Sequence, residues 1–135
     1  MKVVLNKCYG GFGLSAAAMC ELISMNSPCV HGEKRDDIPE HYNIEDVPGW
    51  PGYKTNTFYG SLVVKDGVLY TTYKTGLSEN DFRSHPDLLA VVEKLGAKAS
   101  SQLGKLEIVE IPDNIEWDID DYDGMESIHE RHRCW

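Results

Sequence analysis

Apolar positions along this chain switch between two periods, and the switches predict its elements. Val3-Val4-Leu5 is a short β-branched run that predicts a first, central strand. Behind Leu14, residues Met19, Leu22 and Ile23 recur at helical spacing. Ser15 stands as N-cap, Leu14 and Met19 form a hydrophobic staple, and the helix runs from Ala16 to about Met25. From 26 to 56 the periodicity lapses among Pro28, Gly32, Pro39, Pro48, Gly49, Pro51 and Gly52, which predicts a long loop excursion. Over 57–75 the β-rich words Ser61–Val64 and Val68–Tyr73 flank Asp66-Gly67, a hairpin signal. Ser84-His85-Pro86-Asp87 reads as a capping box with a proline in the first turn. Leu88, Leu89, Val91, Val92 and Leu95 follow as a buried face, and Gly96 is the stop. Leu106–Ile111 and Ile115–Ile119 are two strands around Pro112-Asp113-Asn114, the second with Ile115, Trp117 and Ile119 inward. Met125, Ile128, His129 and His132 then fall at helical spacing and predict a short closing helix. Together these predict an α+β fold: one compact domain over 1–135, mainly antiparallel sheet with two or three helices.

Composition narrows the picture. At 135 residues and 41% hydrophobic, the chain can bury a core without disulfides. No apolar run has membrane-spanning length, and the start turns polar too soon for a signal peptide, so a cytoplasmic location is expected. Cys8, Cys20, Cys29 and Cys134 accordingly read as free thiols. Net charge is -9, and ten acids with no Lys or Arg lie between Glu107 and Glu130. Such a segment repels phosphate backbones, which argues against direct nucleic-acid binding and favours a basic partner or a cation there.

Both ends of the chain resemble a family of small, mostly uncharacterised proteins of tailed bacteriophages and some bacteria. The matching words are Val3-Val-Leu-Asn-Lys-Cys-Tyr-Gly-Gly-Phe-Gly-Leu-Ser15, Arg83-Ser-His-Pro-Asp-Leu-Leu89, Ile108-Val-Glu-Ile-Pro-Asp113, Tyr122-Asp-Gly124 and His132-Arg133-Cys-Trp135. The likeness spans roughly residues 2–25 and 81–135. It implies a phage-type context, in a host cytosol, and an α+β fold; it implies no mechanism.

Candidate chemistry centres on the glycine-dense turn between strand and helix. Gly11-Phe-Gly13-Leu-Ser-Ala16 fits G-x-G-x-x-A, with Glu33 or Asp36 downstream, but Asn6 to Gly10 separate strand from glycines and no second strand of a dinucleotide fold follows. A looser nest of backbone N–H groups for an anion and a plain chain reversal both remain open. His129-x-x-His132-x-Cys134 and Cys29-x-His31 carry zinc-competent side chains without a Cys-x-x-Cys knuckle. Cys8, beside Lys7 and the turn, is the cysteine best placed for a nucleophile; a buried thiol is the plainer alternative. The acids from Glu116 to Asp123 are explained in large part as the solvated face of a strand. Aromatics of the excursion, including Trp50 and Tyr53, suit either a satellite core or a contact surface.

These features predict a non-enzymatic binding protein for a phosphate-bearing, nucleotide-like small molecule or a host factor. The ligand-facing residues are Asn6, Tyr9, Gly10, Gly11, Gly13, Ser15 and Arg83, with no catalytic residue, metal or cofactor. Alternatives are a small hydrolase or transferase acting on a nucleotide, and an acidic mimic of nucleic acid occupying a host nuclease.

Overall fold

The computed structural model describes residues 1–34, 44–55, 61–72, 75–101 and 104–130. Strand β1 (Lys2–Asn6) pairs antiparallel with β7 (Leu106–Glu110), Lys2 facing Glu110 and Asn6 facing Leu106. Five further strands form a second antiparallel sheet in the order β2-β6-β5-β4-β3. These are β2 (His31–Lys34), β3 (Glu45–Val47), β4 (Trp50–Thr55), β5 (Leu62–Lys65) and β6 (Val68–Thr71). A separate hairpin joins β8 (Trp117–Tyr122) to β9 (Met125–Glu130). With helices α1 (Ala16–Ser24), α2 (Glu79–Arg83) and α3 (Pro86–Leu95), the class is α+β. None of the described helices is long and apolar enough to cross a membrane.

Helix α1 starts as its sequence predicts: Ser15 Oγ accepts from the Ala18 N–H at 3.2 Å. Leu14 and Met19, the two staple residues, are both fully buried in the main core. That core packs Ala18, Met19 and Leu22 of α1 with Leu88, Val91 and Val92 of α3, together with Val4 of β1 and Val63 of β5. On the opposite face of β1, Val3 and Leu5 meet Ile111 and Trp117, with Ile119 and Ile128 of the hairpin against them. β1 is therefore apolar on both faces, as a central strand is, but its sheet has only two strands among the described residues.

Four expectations need correcting. The segment 26–56 is not one loop, since β2, β3 and β4 lie in it. Pro48-Gly49, read as loop punctuation, is a tight turn with Gly49 at φ 81°, and Val47 faces Trp50 across it. The expected closing helix is strand β9, because Asp123 (φ 50°) and Gly124 (φ 90°) make a hairpin turn that reverses the chain onto β8. Of the two strands expected around Pro112, both are present, but the second runs Trp117–Tyr122 rather than Ile115–Ile119; β7 joins β1 and β8 joins β9. Finally, Ser84 is not the cap of α3. It closes α2, donating its hydroxyl to Asn80 O, while His85 Nδ1 caps α3 by accepting from Asp87 N. The hairpin about Asp66-Gly67 and the stop at Gly96 stand where the sequence puts them.

Burial sets the chemistry of the core thiols. Desolvation, reinforced by the Glu21 carboxylate, pushes the Cys20 thiol up to about 11, and burial also raises Cys29. A group raised in the fold contributes its stability below its ordinary value near 9 and loses it as pH rises toward 11. Urea midpoints should thus hold steady up to pH about 9 and fall beyond it, and Cys20→Ala should remove part of that slope. An unchanged slope in the variant would assign the alkaline loss elsewhere.

Candidate functional site

The glycine segment is knitted tightly into its surroundings. Ser61 Oγ accepts from Leu14 N at 2.8 Å, Ser61 N donates to Leu14 O at 2.7 Å, and Ser101 N donates to Gly13 O at 3.0 Å. A Cβ on Gly13 would stand 2.6 Å from Ser101 Oγ, so the residue is glycine for close approach. Over Gly10 and Gly11 lies the β8–β9 turn: a Cβ on Gly124 would come within 2.7 Å of the Gly10 nitrogen. The turn's own hairpin is the neighbour of those backbone amides.

Asn6 is buried and fully engaged. Its Nδ2 donates to Cys8 O at 2.7 Å and to Gly124 O at 2.6 Å, and its Oδ1 accepts from Lys105 N at 2.8 Å. Ser15, besides capping α1, donates to Lys98 O at 2.6 Å. Both side chains hold the fold. Tyr9 and Gly10 are exposed, Tyr9 at 63%.

Arg83 closes α2 and is buried. Its Nη1 and Nη2 meet Glu126 Oε1 and Oε2 at 2.6 and 2.7 Å, a bidentate pair with both side chains 5% exposed. Nη1 also donates to Val4 O at 3.2 Å, and Glu126 Oε1 accepts from Asn6 N at 2.8 Å. β1 turns Met1 and Lys7 toward β7, where Met1 O accepts from Ile111 N and Lys7 N donates to Lys105 O. Val4 and Asn6 therefore face the opposite edge, and the ion pair serves that edge as a strand would, offering a donor to Val4 and an acceptor to Asn6. The guanidinium lies 3.7 Å from the centre of the Phe12 ring, which itself meets Phe82 edge-on.

The remaining side of Arg83 faces a pocket of about 230 Å³. Its walls are Phe12 from the glycine segment, Ser61, Thr72, Thr75 and Leu77, and Glu79 and Phe82 beside Arg83 on α2. Arg83 Nε donates to Glu79 Oε1 at 2.7 Å, and the Glu79 side chain is 63% exposed. Of the residues the sequence singles out, Arg83 alone lines this pocket; Phe12, between two of the predicted glycines, joins it. Sequence reasoning missed Glu126, Glu79 and the three hydroxyl residues. Glu126 carries no signal, because it is one of ten acids between Glu107 and Glu130 and falls in the segment that reads as a closing helix.

The acidic hairpin otherwise follows its alternation. Trp117, Ile119 and Ile128 point to the second apolar cluster, and Asp120, on the outer face, pairs with His129 Nδ1 at 2.7 Å. His132 and Cys134 lie outside the described residues, as do Arg35 and Asp36. Among the described residues no group of three or more His, Cys, Asp or Glu is placed to hold a metal ion. Cys8 is half-buried, with its Sγ 3.8 Å from Tyr9 O. Comparison of the chain with protein-family models, with curated proteins and with solved structures finds no match.

Proposed function

We propose that this chain is a small non-enzymatic binding protein that captures a phosphate-bearing, nucleotide-like small molecule in the pocket beside Arg83. The observation that supports this reading is the chemistry of the pocket wall: a buried guanidinium fixed on an aromatic ring, three hydroxyls and apolar floor from Phe82 and Leu77. Ser61 and Thr75 oxygens already accept from Leu14 N and Leu77 N, so each has its proton to give outward. Donors around an apolar floor suit a compact ligand rich in acceptor oxygens.

A ligand that binds only the folded chain raises its stability by RT ln(1 + [L]/Kd), about 1.4 kcal/mol at ten times Kd. Millimolar nucleoside monophosphates or sugar phosphates should raise the melting temperature by roughly 4–6 °C, and Thr72→Val should remove most of that shift while keeping the fold. A panel of such compounds that moves the transition by less than about 1 °C would remove the proposal.

A further inference from the structure

We propose that the ligand's phosphate docks on the Nε–Nη2 edge of Arg83 in place of the Glu79 carboxylate, which makes Glu79 a built-in occupant of the anion position. This rests on the pocket being the ligand site.

A guanidinium presents two forked edges, each able to take an oxyanion through paired N–H groups. One edge of Arg83 is closed: Glu126 spans Nη1 and Nη2 and is itself buried. The other is half used. Nε donates to Glu79 Oε1, and among the described residues the second Nη2 hydrogen has no partner. Glu79 stands four positions before Arg83 at the first residue of a five-residue helix, with most of its side chain in water. Of this i,i+4 pair only the Glu79 end is exposed, at 63% against 5% for Arg83, so it is the carboxylate that can exchange into water. The carboxylate can swing out when an incoming anion takes over its bond to Nε, whereas the guanidinium stays in place, because Phe12, Glu126 and Val4 O hold its plane.

The geometry is thus a fixed fork with a loosely held carboxylate in it, facing a pocket of hydroxyl donors. A phosphomonoester supplies two oxygens to the fork where Glu79 supplies one bond, and its remaining oxygens and sugar hydroxyls meet Ser61, Thr72 and Thr75. Once displaced, Glu79 remains nearby as a like charge that weakens the complex. Removing that charge should tighten binding.

The experiment is calorimetric titration of the full chain and of Glu79→Gln with a nucleoside 5′-monophosphate, the matching nucleoside, ribose 5-phosphate and inorganic phosphate. Circular dichroism and melting temperature confirm that the variant is folded. The expected result is a gain of roughly tenfold in affinity for the phosphorylated probes in Glu79→Gln and none for the nucleoside. Glu79→Asp, which keeps the charge but shortens its reach, should gain less. Monophosphate binding that is equal in wild type and Glu79→Gln would retain the pocket as the ligand site and overturn the role of Glu79. So would a gain of the same size for the unphosphorylated nucleoside. Absence of binding by every probe to both proteins would remove this inference together with the reading it rests on.

Discussion

Replacing Glu126 by alanine is expected to lower the stability of the fold by about 3–5 kcal/mol, the cost of stranding one partner of a buried ion pair. Three losses coincide at this position. Arg83 keeps a buried positive charge with only the exposed Glu79 against it, Asn6 N–H loses its acceptor, and the hairpin keeps only one of the two hydrogen bonds that tie it to Asn6. Against a typical total of about 5–15 kcal/mol for a domain, that is about a fifth of the reserve or more. Glu93→Ala, which breaks the exposed pair with Lys2, should change stability by less than about 0.5 kcal/mol. Urea denaturation of both variants decides the matter, and a loss below about 1 kcal/mol for Glu126→Ala would mean that water or rearrangement replaces the carboxylate.

The second large effect is expected at Gly124. Two hairpin turns in this fold share the dipeptide Asp-Gly with positive φ at both positions, Asp66-Gly67 and Asp123-Gly124. Alanine at Gly67, φ 77° with open space around it, should cost about 1 kcal/mol for backbone strain alone. Alanine at Gly124 adds to this a Cβ pressed against the backbone of Gly10 and Gly11, which no rotamer change relieves. Overpacking of that kind adds about 1–3 kcal/mol, for a total near 2–4 kcal/mol. Hydrogen-exchange protection should fall at Asn6 N–H, whose acceptor is carried by the same hairpin. Equal melting temperatures for the two alanine variants would show that the close approach does not exist in solution.

The same dipeptide shows where sequence is legible and where it is not. Around Asp66-Gly67 the flanks Leu62–Lys65 and Val68–Thr71 are β-rich, so turn and strands agree. After Asp123-Gly124, Met125, Ile128 and His129 fit helical spacing by coincidence of periods, and that pattern masks the turn signal. In β3 and β4 the apolar content is too low for periodicity to register, and Pro48-Gly49 carried the only information, as turn chemistry. The Ser15 cap, the apolar faces of α1 and α3 and the buried first strand are readable because their signals are local, whereas the cap of α3 falls on His85, one residue past the expected Ser84. The candidate site is not readable, since Phe12, Ser61, Thr72, Glu79 and Arg83 converge from four separate stretches of chain and Glu126 is paired across 43 residues. An acid among acids reveals its burial only when the partner that draws it inward is known.

The pairing of β1 with β7 also bears on the order in which the protein is made. Val3, Val4 and Leu5 leave the ribosome about a hundred residues ahead of their strand partner, and the carboxylate that completes their free edge follows later still. At roughly 5–20 residues per second, that apolar triplet waits on the order of 5–20 s without its strand partner. Among the described elements, α1 and the five-stranded sheet are complete before β7 is made, so β1 can be locked in place only after them.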